Sequence, residues 1–160
     1  MSSAGVDYGV RRIAMSYPAG GIVRELILKD EDEIECLSKM ANWLSEQLKE
    51  LDGCDLVIVE KPIQGVSRNV RTGLSLGMVA GALAYTSSLH ARVAMAPPTV
   101  WKKAVIGRGN ADKPYVEQWL KYAKPALYQL CEQLRKPQDG IDATCLALYG
   151  EAGLAGRITL

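Results

Sequence analysis

Four carboxylates stand where the surrounding residues give them little structural reason to be. Asp7 lies inside an apolar run, Glu60 ends another, and Asp139 and Asp142 open a helical segment near the C-terminus. Strand interiors disfavour Asp, and two acids three apart on a helix project from one face. If the chain gathers these groups, their like charges raise one another's pKa unless a cation neutralises them. Hard oxygen donors of this kind suit Mg²⁺ or Mn²⁺.

Taken singly, each acid has a plainer reading. Asp139 can be the N-cap of the last helix, Glu60 a solvated strand end beside Lys61, and Asp7-Tyr8-Gly9 a turn. Their order favours the joint reading: one acid on the first strand, one at the end of the fourth, and a D-x-x-D on the final helix.

The elements that must position them follow from periodicity. Ala4 to Gly9 and Arg12 to Tyr17 read as strands, Pro18 to Gly21 as a turn, and Ile22 to Leu28 as a third strand, an antiparallel meander. Asp30 to Leu51 has helical period, with Ile34, Leu37, Met40, Ala41, Leu44 and Leu48 on one face. The apolar run Leu56 to Val59 predicts a strand buried on both faces and, being reached through a helix, parallel to its neighbour. A polar stretch, Gln64 to Arg71, leads into a helix from about Thr72 to Leu89, whose glycines and alanines permit close packing. Arg92 to Ala96 is a fifth strand. Helices are expected over Thr99 to Ile106, Ala111 to Ala123, Ala126 to Leu134 and Asp139 to Tyr149.

The 160 residues, 48% hydrophobic and 23% charged, fit one α/β domain spanning 1–160 with a five-stranded mixed sheet and helices on both faces. No apolar run is long enough for a membrane helix and no signal sequence opens the chain, which predicts a cytoplasmic protein with no membrane partner. Cys36, Cys54, Cys131 and Cys145 form no C-x-x-C pair and His90 stands far from them, so neither a zinc site nor a disulfide framework is expected. The net charge of +1 hides an asymmetry: Asp30 to Glu60 carries ten acids against two lysines, whereas Arg92 to Lys136 carries nine Lys/Arg against three acids. A polyanion would meet the second half.

Three segments, Gly5-Val6-Asp7-Tyr8-Gly9, Val57-Ile58-Val59-Glu60 and Pro137-Gln138-Asp139-Gly140-Ile141-Asp142-Ala143, resemble the acidic motifs of RuvC-type Holliday junction resolvases of the RNase H-like superfamily. The stretch from Thr99 to Lys103 and from Val105 to Lys113 resembles that family's basic segment, with its glycine pair, helix start and lysine in corresponding places. Single motifs of this kind are weak, but four in the right order across nearly the whole chain are specific.

The resemblance implies an endonuclease that cuts four-way DNA junctions by paired symmetric nicks, leaving 5′-phosphate and 3′-hydroxyl ends, with no nucleotide cofactor. Asp7, Glu60, Asp139 and Asp142 would hold two Mg²⁺ ions, with Mn²⁺ as a substitute. Lys113 matches a lysine near the scissile phosphate, where it would offset developing charge, and Lys102 one that grips the DNA backbone. Lys103 and Arg108 are expected to add phosphate contacts, as are Arg68 and Arg71 beside Glu60. Ile63 stands where bacterial members carry an aromatic wedge. That difference, together with extra helix from Lys124 to Lys136, resembles the bacteriophage branch of the family. The resemblance also implies a homodimer, two sites for two like strands, and the Gly/Ala-rich helix is its candidate face, with close packing against the sheet as the other use. Trp43, Trp101, Trp119 and His90 read as structural, with Trp101 a further candidate for DNA contact.

The nearest competing readings keep the fold and change the substrate: a broader flap and fork endonuclease, or an RNA-processing nuclease. A nonhydrolytic junction-binding module is disfavoured because all four acids are present, and an actin-like sugar kinase fragment fails on length.

Overall fold

The computed structural model describes residues 1–29, 31–63 and 70–160. Its centre is a five-stranded mixed sheet. Strands β1 (Ser2–Tyr8), β2 (Arg12–Tyr17), β3 (Ile22–Ile27), β4 (Cys54–Glu60) and β5 (Arg92–Ala96) are ordered β3-β2-β1-β4-β5. The pairs β1–β2 and β2–β3 are antiparallel, whereas β1–β4 and β4–β5 are parallel, as the meander followed by helical crossovers predicts.

Helices α1 (Glu33–Lys49) and α2 (Val70–Ser88) cover one face. There Met40, Leu44, Leu48, Val79 and Leu83 pack on Ala4, Val6, Ile13, Met15, Val57 and Val59. The other face carries α3 (Pro98–Ile106), α4 (Lys113–Ala123), α5 (Pro125–Glu132) and α6 (Pro137–Leu154). Their side chains bury Trp101, Val116, Leu120, Tyr128, Ile141 and Leu146 against Leu56, Ile58 and Ala96.

Strand alternation decides which side the acids take. On β1, Ala4 and Val6 point to α1 and α2, so Ser3, Gly5 and Asp7 point to α6. On β4, Val57 and Val59 face α1 and α2 while Leu56 and Ile58 face α6, and Glu60 continues the second set. The parallel register pairs Val6 with Val59, which brings Asp7 and Glu60 to neighbouring positions one step further along.

Two glycines let α6 lie close on the sheet. A Cβ on Gly5 would strike the Ala143 carbonyl oxygen and the Ala147 nitrogen, and one on Gly150 would strike Ser3. The glycines of α2 serve differently: a Cβ at Gly73, Gly77 or Gly81 would meet nothing, so the expected close packing against the sheet is not their role. The buried side of that helix is Ser75, Val79, Ala80, Leu83, Thr86 and Ser87, and its outer side exposes Val70, Leu74, Met78 and Tyr85.

His90 meets Ser45 at 2.9 Å between Nε2 and Oγ, tying the end of α2 to α1. Trp43 and Trp119 pack at the edges of the two cores, in line with their structural reading. The four cysteines are free thiols. Among the described residues, no helix is long and apolar enough to cross a membrane.

Candidate active site

The four acids come from three elements. Asp7 is buried near the end of β1, within the strand and not in a turn. Glu60, the last residue of β4, is half-buried and not a solvated end. Asp139 is the third residue of α6, whose N-cap is Lys136, so Asp139 does not cap that helix. Asp142 follows one turn later, on the same face.

Electrostatics binds them into one group. Burial pushes the Asp7 carboxyl well above the ordinary carboxylate range, and the charges of Glu60, Asp142 and Asp139 push it further; only the Tyr8 backbone N–H opposes them. Burial likewise raises Glu60 to about 7. A hydrogen bond from Trp101 opposes that rise, Asp142 adds to it, and Lys102 and Lys113 draw it back down. Asp142 is raised to about 6, first by burial and also by Asp139, against a hydrogen bond from Gln138 and the same two lysines. The neighbouring Tyr8 phenol is raised by burial and by Glu60 and Asp7, and it donates to the Glu60 carbonyl oxygen at 3.0 Å.

Three supporting contacts escape sequence reasoning. Trp101 Nε1 donates to Glu60 Oε2 at 3.0 Å, and the ring is 1% exposed. Trp101 is therefore a support for an acid inside the core and not a DNA contact. A buried indole needs an acceptor, and β5 pairs Ala96 with Glu60, so the helix that starts at Pro98 begins beside that carboxylate. Arg12, next to β1 on β2, bonds Asp139 Oδ2 through Nε at 2.6 Å. Gln138 Nε2 donates to Asp142 Oδ1 at 3.0 Å.

The basic segment is the turn from α3 to α4. Gly107 ends α3 at φ 84°, a left-handed conformation that favours glycine. A Cβ on Gly109 would press on the Thr99 carbonyl oxygen at 2.9 Å. The turn delivers Lys113 to the first position of α4, exposed, with its charge acting on Glu60 and Asp142. Lys102 acts on the same two acids, and its ammonium donates to the Ala111 carbonyl oxygen at 2.8 Å, so it braces the turn as well. Lys103 and Arg108 are exposed. Arg108 Nε donates to Asn110 Oδ1 at 3.1 Å. Ile63 is exposed three residues after Glu60, and Arg71 is exposed in the first turn of α2. Arg68 lies outside the described residues.

The donor chemistry fits a hard divalent cation. All the donors are carboxylate oxygens, and for three of them the fold opposes ionisation unless positive charge is supplied. Among the described residues, no three acidic, His or Cys side chains converge as ligands of one ion; Asp139 is engaged by Arg12 and Asp142 by Gln138.

No protein-family model matches the sequence, and no curated protein is similar to it. Solved structures are. RuvC of Thermus thermophilus in complex with a Holliday junction substrate is 18% identical, with a TM-score of 0.70 over 98% of this chain and 96% of that one. The yeast mitochondrial Holliday junction resolvase Ydc2 is 14% identical, with a TM-score of 0.59 over 97% of this chain and 80% of that one. The fowlpox virus resolvase, solved with its Holliday junction DNA, is 16% identical, with a TM-score of 0.51 over 96% and 99%. At these identities the likeness speaks to architecture, and the mixed β3-β2-β1-β4-β5 sheet with helices on both faces is the RNase H-like fold of RuvC.

Proposed function

We propose that the chain is a divalent-metal-dependent endonuclease that resolves four-way DNA junctions by paired, symmetric nicks. The observation that carries this reading is the electrostatic coupling of Asp7, Glu60, Asp139 and Asp142, which come from three elements, with one another and with Lys102 and Lys113. A cluster of buried and half-buried acids flanked by a half-buried and an exposed lysine suits a phosphodiester: the acids would hold the metal and the cations would receive the phosphate. Three solved junction resolvases of the same architecture support the choice of substrate.

In this reading the four carboxylates would hold Mg²⁺, with Mn²⁺ as a substitute. When bound, the metal supplies an ionised water for attack on phosphorus and positive charge for the departing 3′ oxygen. Trp101 fixes the Glu60 carboxylate and Gln138 that of Asp142. Lys113 sets its ammonium near the acids, where it offsets the extra negative charge of the phosphorus transition state. The leaving 3′ oxygen ends as a hydroxyl and the phosphate stays on the 5′ side. Lys103, Arg108 and Arg71, all exposed, add phosphate contacts, and Ile63 serves as an apolar wedge beside the Glu60 strand end. Ile63 and the α5 insertion favour membership of the bacteriophage branch, acting in the host cytoplasm.

The outer side of α2 exposes Val70, Leu74, Met78 and Tyr85 with open glycines between them. A large apolar helix face of this kind marks an interface. A second copy of the chain would cover it and give the two-fold arrangement that two like cuts require.

The test is to incubate labelled four-way junction, flap, fork and linear duplex with the protein in Mg²⁺, beside Asp7→Asn. Paired nicks across the junction that vanish in the variant are expected. Equal cutting of every branched form would reduce the protein to a general branch nuclease, and binding with no cut would remove the enzymatic reading.

A further inference from the structure

Helix α4 presents two aromatic side chains, Tyr115 and Tyr122, to solvent that its packing does not need, on either side of Trp119, whose inner edge rests on the core. Val116 and Leu120 bury its inner side completely. On the outer side Tyr115 is 41% and Tyr122 77% exposed, and with the half-buried Trp119 they follow an i, i+4, i+7 spacing on one face. With Gln118 and Ala123 they line a shallow cleft of about 460 Å³, room enough for a small planar group.

Cations outnumber acids along that helix. The Arg108 guanidinium lies 5.2 Å from the centre of the Tyr115 ring, Lys113 opens the helix, and Lys121 and Lys124 close it. The two acids of the stretch are occupied within the protein: Asp112 accepts from the Tyr115 N–H, and Glu117 accepts from the Tyr128 hydroxyl at 3.0 Å. Exposed rings bordered by cations match one class of partner, a chain carrying planar bases on a polyanionic backbone.

The position is also defined. Lys113, whose charge acts on Glu60 and Asp142, opens α4, and the stripe begins two residues after it on the same helix. At about 1.5 Å per residue, Tyr115 to Tyr122 spans about 10 Å, the rise of three base steps at about 3.4 Å each.

Resting on the DNA reading above, we propose that Tyr115, Trp119 and Tyr122 form a stacking platform for unpaired nucleotides leading away from the cleavage site. The platform would hold a strand that has left the duplex at the branch, while the cations at either end of α4 hold its phosphates. The other occupant such a face could take is protein, a second copy of the chain included.

The experiment measures binding of a fluorescein-labelled twelve-nucleotide oligothymidylate and of a linear duplex by anisotropy, using the full chain in EDTA. Tyr115→Ala/Tyr122→Ala is compared with Tyr115→Phe/Tyr122→Phe, which keeps both rings, and melting temperatures establish that each variant is folded. The Ala pair is expected to lose about tenfold or more in oligothymidylate affinity, with the Phe pair and duplex binding within about twofold of the parent. Unchanged oligothymidylate affinity in a folded Ala pair overturns the platform, and so does a change of oligomeric mass without a change in that affinity. If the parent protein binds neither the oligonucleotide nor a four-way junction, the function proposed above fails and takes the platform with it. Junction cutting by the parent with an unaffected Ala pair removes the platform alone.

Discussion

Trp101 and Glu60 are joined by a 3.0 Å hydrogen bond from the indole nitrogen to Oε2, made from a ring that is 1% exposed. The bond does two things: it fixes one carboxylate rotamer, and it opposes the burial that raises the Glu60 pKa. Trp101→Phe keeps most of the packing and deletes the donor. Its pH profile of cleavage is expected to move alkaline, with about tenfold less activity at pH 7, the scale of one hydrogen bond to a charged group. An unmoved midpoint would mean that the indole serves packing alone.

The metal-free protein should weaken as pH rises. Asp7, Glu60 and Asp142 are all raised, Glu60 to about 7 and Asp142 to about 6, from values of about 4 in an unfolded chain. Between those limits the folded state binds more protons than the unfolded one, so stability is full at low pH and is lost as pH climbs through 6 and 7. Thermal melts in EDTA are expected to show a lower midpoint at pH 7.5 than at pH 5. Added Mg²⁺ should recover it at pH 7.5 and do little at pH 5. A melt indifferent to both pH and metal would contradict the picture of carboxylates awaiting a cation.

Much of this site is legible in the sequence because its acids break local rules. Asp7 interrupts a run whose alternate residues form the core, and Glu60 ends a strand buried on both faces, so period-two reasoning assigns both to one side of the sheet. The supporting groups obey their local rules and so carry no such mark. Arg12 sits at a strand start where any polar residue is at home, and its bond to Asp139 spans 127 positions. Trp101 beside Lys102 looks like a nucleic-acid contact until β5 is seen to pair with β4 and set α3 against Glu60. The glycines of α2 show a small profile without showing which side of the helix it occupies. The last helix runs on to Leu154, past the Tyr149 expected, because Gly150, Ala152 and Gly153 offer no periodicity to follow.

Gly5→Ala tests the packing that brings α6 to the acids. The new methyl would meet backbone atoms, Ala143 O and Ala147 N, which cannot turn aside as a flexible side chain would. A loss of about 3 kcal/mol in urea unfolding is expected, the upper range for overpacking, with cleavage falling as α6 is displaced. A loss below about 1 kcal/mol would mean that the helix has room to move away from β1.

Leu74→Glu and Tyr85→Glu place charge on the exposed side of α2, where neither residue supports the core. Light scattering is expected to give twice the chain mass for the parent protein and the chain mass for the variants, with unchanged melting of the monomer. A monomeric parent would remove the dimer, and a dimer that survives both substitutions would place its interface elsewhere.

Arg12 competes with any cation for Asp139. Its Nε lies 2.6 Å from Oδ2, and its side chain is 45% exposed while that of Asp139 is 12% exposed. Arg12→Gln removes the fixed positive charge and releases that oxygen, so Mn²⁺ should bind more tightly. Because the guanidinium is partly screened by water, the gain is expected to be about 1 kcal/mol, or about fivefold in Kd. Calorimetry with Mn²⁺ and no DNA reads this directly, apart from any phosphate contact that Arg12 makes. Weaker Mn²⁺ binding in the variant would give Arg12 the opposite role, holding Asp139 in the orientation the metal needs.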